Sequence, residues 1–139
     1  MKVKRIVIEG TGKVFTRPIS ITDTKEEIKA KQQKPFILQG DYTLEVYLDN
    51  SEVFIIEAHN GYTFDGATIP FGLGKGDMKI LIPALFHDIM CENHSLVKNN
   101  RKLSSDIFYE LLTTFHNNKL KAKIMYLSVE LWQKIVGKW

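Results

Sequence analysis

A histidine and an aspartate stand side by side in an apolar run, Ala84-Leu85-Phe86-His87-Asp88-Ile89-Met90. Two adjacent ionisable groups in such a setting are costly unless they are paired or used. Neighbours on a helix point about 100° apart, so one of the two can face inward while the other borders a cleft. Asp106 opens the next helical pattern, beside Leu103 and Ile107. If the two helices pack antiparallel, Asp106 approaches His87. A carboxylate on one imidazole nitrogen fixes the tautomer and makes the other nitrogen more basic, as a general base requires. His87 and Asp106 are therefore the candidate catalytic residues. Asp88 is then free to hold a cation or a substrate group, and Asp88 with Asp65 upstream are the candidate ligands of a divalent cation. A structural alternative stands beside this reading. A His-Asp pair can simply tie two helices together, Asp106 can be a helix-start carboxylate favoured by the dipole, and Arg101 can neutralise either aspartate through an ion pair. Cys91 lies one turn from His87 and three residues from His94. No oxyanion donor set or orienting residue accompanies it, so a thiol nucleophile is not expected.

The segment that must position these groups from the upstream side is rich in glycine. Residues 61–76 hold five glycines, and Asp65 sits among them. Glycine admits positive φ and close backbone approach. The loop can present amides or carbonyls to a ligand, or it can be a tight sheet-to-helix crossover in which Asp65 caps a turn. No Gly-Lys-Ser/Thr follows, so it is not a phosphate-binding P-loop.

Around this centre the chain divides into two halves. Residues 1–70 read as strands. Val3, Ile6 and Ile8 precede the break at Gly10-Thr11-Gly12; Val14-Phe15-Thr16 and Ile19-Ser20-Ile21 follow, with Pro18 at an edge or turn. Thr22 to Glu27 resembles a helix start, and residues 28–33 continue as a short helix or a polar loop. Tyr42 to Leu48 and Val53 to Ala58 alternate about a polar turn, which predicts a hairpin. Residues 79–137 read as three helices. The first runs from Lys79 to Glu92, with Pro83 near its first turn. The second carries Leu103, Ile107, Phe108, Leu111, Leu112 and Phe115 as one stripe. The third, about Leu120 to Val136, has two stripes: Leu120, Ile124, Leu127, Leu131, Ile135, and Met125, Val129, Trp132, Val136. A helix apolar on two faces is sandwiched in its own domain or meets a partner, and the second stripe is assigned to partner binding. The expected fold is one α+β domain spanning residues 1–139: an N-terminal antiparallel sheet or meander, a glycine-rich loop and three C-terminal helices. Both chain ends are expected to dock, on this chain or on a neighbour.

Composition sets the outer bounds. A chain of 139 residues with 44% hydrophobic content can build a core. The net charge of +3 is mild and the lysines are scattered, so there is no strong nucleic-acid signal. One cysteine excludes an intramolecular disulfide framework and a cysteine-rich zinc site. No run approaches ~20 apolar residues, the length of a membrane-spanning helix, and no signal peptide is evident at Met1 to Ile8.

Several motifs, taken in order, resemble one family. Gly61-Tyr62-Thr63-Phe64-Asp65-Gly66-Ala67-Thr68-Ile69-Pro70, then His87-Asp88, then Arg101 with Ser105-Asp106-Ile107-Phe108, then Met125-Tyr126, look like the domain-of-unknown-function family 1353. The resemblance runs from about Gly61 to Val136. That family is widespread in tailed bacteriophages and prophages, so the resemblance implies a phage origin and supplies no proven activity. Two positions depart from its pattern: Cys91 stands where tyrosine is common, and Phe64 where threonine is. A more distant likeness is to the secreted phospholipases of the A-two class. By that analogy His87 would activate water, Asp106 would orient it, and Asp88 with loop carbonyls would hold calcium. The disulfides of that class are absent. The HD phosphohydrolases offer a weaker comparison, because His59 lies on or after a strand and not where their upstream histidine is needed.

Two functions follow as expectations. The first is a phage structural or assembly protein, in the virion or its tail or in the host cytoplasm, associating with other phage proteins or with itself. No cofactor is certain for it. The second is a small metal-assisted hydrolase using His87, Asp106 and Asp88.

Overall fold

A computed structural model describes residues 2–66, 78–115 and 119–136, with the backbone alone at positions 119, 121, 122, 125, 129, 132 and 136. The glycine-rich loop beyond Gly66, and the side chains of Met125, Val129, Trp132 and Val136, lie outside the described residues.

Among the described residues ten elements carry the fold: β1 (Val3–Gly10), β2 (Lys13–Thr16), α1 (Lys25–Gln33), β3 (Phe36–Gln39), β4 (Tyr42–Leu48), β5 (Val53–Ala58), β6 (Thr63–Phe64), α2 (Met78–Glu92), α3 (Arg101–Phe115) and α4 (Lys119–Val136). A single 3₁₀ turn, His94–Val97, links α2 to α3. The strands form two antiparallel three-stranded sheets, in the orders β1-β4-β5 and β2-β3-β6. The architecture is α+β, with the strands first and the helices last.

The alternation in β4 and β5 has a direct structural outcome. Leu44, Val46, Leu48, Ile56 and Ala58 are buried, and the hairpin pairs Leu44 with Ile56 and Tyr42 with Ala58. These side chains enter one core with residues of both sheets and of α2 and α3, including Leu38, Phe64, Leu85, Phe86, Phe108 and Leu111. α3 touches β1, α2 and α4, so it joins the hairpin sheet to the helices. The chain crosses between sheets three times, at Gly10-Thr11-Gly12, at Gly40-Asp41 and at His59-Asn60-Gly61-Tyr62. Gly40 has φ +100°, and a Cβ there would stand 2.7 Å from the Cα of Gly12. Only glycine tolerates both conditions.

α1 starts as its sequence suggests. Thr24 Oγ1 accepts the Glu27 N–H, and Glu27 Oε1 accepts the Thr24 N–H, a reciprocal capping box. No α1 residue is buried, so the cap and the Lys31–Asp23 ion pair at 2.7 Å matter more than packing. The expected strand at Ile19-Ser20-Ile21 does not form. Ser20 donates its N–H to Asp23 Oδ2, which closes a turn, and Ile21 is fully exposed. The short strand β3, directly after Pro35, was not expected and supplies the buried Phe36 and Leu38. Pro83 lies beyond the first turn of α2, as its sixth residue. At the chain start, Lys2 and Asp49 bond reciprocally, which docks that end on the β4–β5 turn.

Candidate functional site

α2 sets the geometry. Ten of its fifteen residues are buried, and His87 is wholly inaccessible. Its ring packs on Phe108 of α3, with centroids 4.8 Å apart, and its nitrogens lie 3.7 and 3.9 Å from Cys91 Sγ. Burial drives the His87 pKa down to about 4, against the opposing charge of Glu130. The imidazole is neutral at physiological pH.

The His87–Asp106 hydrogen bond expected from the sequence is not formed. Among the described residues no hydrogen bond or ion pair joins the two. Burial raises the Asp106 pKa, with Lys102 and Lys2 opposing that shift and Glu130 reinforcing it. The physical reason is that Phe108 occupies the space against the His87 ring. Arg101 faces neither aspartate. Its guanidinium binds Glu130 Oε2 at 3.0 Å and Gln133 Oε1 at 3.1 Å, so it anchors α4 to α3. Among the described residues, Glu130 Oε1 and Ser105 Oγ are buried and find no partner.

Asp88 points elsewhere, as the offset of about 100° between helical neighbours requires. Its carboxyl hydrogen-bonds that of Asp65, just after β6. Burial, then the nearby charges of Asp65 and Glu92, raises the Asp88 pKa to about 7. Burial and the neighbouring carboxyl groups thus favour the protonated form of Asp88. The structure thus brings together the two proposed cation ligands and separates the two proposed catalytic residues.

One turn further along α2, Glu92 extends this centre. It accepts hydrogen bonds from Tyr62 Oη at 2.7 Å and from Lys34 Nζ at 2.8 Å. Burial pushes Glu92 upward, but the bonds from Lys34 and Tyr62 outweigh it and hold the carboxylate below its usual range. Tyr62 and Glu92 also line an open groove with Glu57, Asn93, Ile55, Ile89 and Leu96. Sequence reasoning missed Glu92, Tyr62 and Lys34. Lys34 follows α1, Tyr62 precedes β6 and Glu92 ends α2, so apart from the place of Tyr62 in the glycine-rich motif only the i, i+4 spacing of Asp88 and Glu92 was a signal. Burial lifts the Cys91 thiol to about 12, which removes it as a nucleophile. Among the described residues no three His, Cys, Asp or Glu side chains converge in a metal-binding group.

The outer side of α4 is the other distinctive surface. Leu120, Ile124, Leu127, Leu131 and Ile135 are 52–71% exposed. The inner side is fixed by Arg101, by a Tyr109–Tyr126 edge contact at 5.3 Å, and by Gln133, which is buried. No described helix is long and apolar enough to cross a membrane.

Two small antiparallel sheets closed by C-terminal helices, with a carboxyl pair between the last short strand and α2, define an α+β protein without a complete catalytic set among its described residues. The sequence model of the family described as "Protein of unknown function (DUF1353)" matches residues 42–129, well over half of the chain, and the chain belongs to that family. Comparison with curated proteins and with solved structures gave no match.

Proposed function

We propose that this chain is a bacteriophage-encoded structural or assembly protein, associated with the virion or its tail, that acts by docking. The observation that supports this reading is the outer ribbon of α4. Five large aliphatic side chains, each more than half exposed, run the length of one helix. Single exposed apolar residues are ordinary, but a contiguous ribbon marks a contact surface. The separation of His87 from Asp106 supports the same reading, since it leaves the histidine as a packing residue. The phage origin is carried over from the family resemblance. The test is mass spectrometry of purified particles from the phage or prophage that encodes the chain. The expected result is the protein in fixed stoichiometry with particle components, lost when Ile124→Glu and Leu131→Glu are combined. Its absence from particles and from every assembly intermediate would refute the reading.

A second reading, a hydrolase assisted by a divalent cation, draws on one observation, the Asp65–Asp88 pair. A cation there would displace the proton that Asp88 retains to higher pH than usual, so binding would strengthen as pH rises. Thermal unfolding with Ca²⁺, Mg²⁺, Mn²⁺ or Zn²⁺ tests it, because a ion bound only by the folded chain raises Tm. The reading expects a rise that is larger at pH 8 than at pH 5.5 and is abolished by Asp88→Asn. No rise with any of the four ions excludes it.

A further inference from the structure

The sheet order β1-β4-β5 leaves β5 with one neighbour among the described residues. Leu48 donates its N–H to the Glu52 carbonyl at 2.9 Å, which sets the phase of the β4–β5 ladder. In an antiparallel ladder, hydrogen-bonded pairs alternate with non-bonded ones. With Val46 opposite Phe54, Leu44 opposite Ile56 and Tyr42 opposite Ala58, the bonded residues of β5 are Phe54, Ile56 and Ala58. Val53, Ile55 and Glu57 therefore turn their N–H and C=O groups away from β4. Among the described residues no backbone hydrogen bond reaches those groups from the outer side.

The two edges of this sheet differ. β1 carries Lys4 and Arg5 and a register shift between Val3 and Arg5, the charge and irregularity that discourage strand addition. β5 has no proline, no lysine and no break in register, and its Val53 and Ile55 are more than half exposed. Alongside it runs the open groove, of about 570 Å³. Ile55 and Glu57 line it from β5, and Ile89, Glu92 and Leu96 line it from α2 and the turn that follows. Two carboxylates and no lysine or arginine line this groove, in a chain whose net charge is +3. Glu57 has His59 at 3.2 Å and Glu92 has Lys34 at 2.8 Å, and Asp65 and Asp88 stand close on the Glu92 side. Acidic groups thus outnumber cationic ones around it. A second copy of this chain would bring the same carboxylates to the groove, so charge selects a different, basic chain.

We propose that β5 and this groove bind an extended peptide segment of another protein by strand addition, with apolar side chains beside Val53 and Ile55 and a lysine or arginine beside Glu57 and Glu92. Unpaired backbone groups that repeat every ~6.8 Å match the repeat of an extended chain. The main-chain bonds supply affinity, and the groove selects the side chains. The site shares no residue with the α4 ribbon, so its failure leaves the assembly reading standing.

The experiment is fluorescence anisotropy of the full chain with a short labelled peptide in which valine and threonine alternate between two terminal lysines. The expected result is saturable binding that weakens with salt and falls roughly tenfold or more when glutamate replaces the lysines. The Ile55 N–H is not a ladder donor, so Ile55→Pro should keep the fold and lose roughly tenfold or more in affinity. N-methylation of alternate peptide amides tests strand addition without altering the protein. One phase of methylation should abolish binding and the other should leave it, because only every second amide of an added strand faces β5. No binding at millimolar peptide, equal affinity for the glutamate peptide, or equal effects of the two methylation phases would each overturn the proposal. A dimer in sedimentation velocity that Ile55→Pro dissociates would assign the edge to a second copy and overturn it as well.

Discussion

α2 and α4 are the two most apolar surfaces among the helices, and they meet opposite fates. α2 is enclosed: Ile80, Leu81, Ile82, Leu85, Phe86, Ile89 and Met90 are all buried, against α3, β2 and β5. α4 rests on α3 by one side and exposes a complete aliphatic ribbon on the other. The difference teaches that apolar periodicity states how much of a helix must leave water, not which molecule will cover it. For α2 the cover is intramolecular, and its two ionisable residues bear the cost of enclosure. His87 stays neutral, and Asp88 keeps its proton to higher pH than an ordinary aspartate.

The largest effect that could break this comparison is a pair of truncations. Phe86→Ala removes a fully buried ring and should cost about 3–5 kcal/mol of unfolding free energy. Leu131→Ala, at 60% exposure, should change the dilute monomer by no more than about 0.5 kcal/mol. Urea denaturation of both variants at low concentration measures the contrast. Equal costs would mean that α4 is packed as α2 is.

A second contrast lies inside α2 and is read by pH. The Asp88 pKa is raised, so its contribution is fully present below the unfolded value near 3.8 and is lost as pH rises through about 7. The His87 pKa is lowered, so its contribution is present above the unfolded value near 6.5 and is lost as pH falls through about 4. The two act in opposite directions across the same window. Asp88→Asn should therefore gain stability relative to the native chain as pH rises from 4 to 7, by at most about 4 kcal/mol for a shift of ~3 units. Part of that is offset by the lost bond to Asp65. Tm against pH for Asp88→Asn and His87→Gln checks it: the difference from the native chain should grow with pH for the first and grow toward acid for the second. Parallel profiles would show that the two side chains share one environment.

How far the sequence foretold this arrangement depends on the range of the interactions. The β4–β5 hairpin, the cap of α1 and the three late helices were legible because each rests on neighbours within a few positions. Tyr42 to Ala58 alternates, Thr24 and Glu27 bond locally, and Leu103 to Phe115 forms one stripe. The division into two sheets was not legible, because it depends on Gly40 lying against Gly12, 28 residues away in the chain. β3 escaped notice because four residues after a proline carry little periodicity. The candidate site followed the same rule. That His87 and Asp88 face different sides came from helix geometry, whereas the partner of each depended on α3 and β6. Phe108 takes the place against His87 that Asp106 was expected to fill, and Asp65 rather than Arg101 meets Asp88. The glycine-rich motif located Asp65 without disclosing what it binds.

A smaller test addresses the link between the enclosed and exposed regions. Arg101→Ala removes the donor that holds Glu130 and Gln133 and leaves a carboxylate that is only 18% exposed without its cation. The pair is partly solvated, which discounts its worth, and about 1–2 kcal/mol should be lost. The loss should be local. Amide hydrogen exchange should accelerate across Lys119–Val136 and stay slow in α2, because α4 depends on this anchor and α2 does not. Uniform acceleration in both helices would show that they unfold as one unit.

The smallest effect in the dilute chain is also the one that separates the two helices most sharply. Leu127→Ser, at the centre of the ribbon, removes apolar surface that is already 53% in water. In the monomer it should shift unfolding by no more than about 0.5 kcal/mol. If the ribbon is covered by a second copy, the native chain gains stability with concentration, because unfolding must first dissociate the pair. The gap between native and Leu127→Ser chains should then widen as concentration rises, while the gap for Phe86→Ala stays constant. A Leu127→Ser gap that does not move with concentration would show that no second copy covers α4.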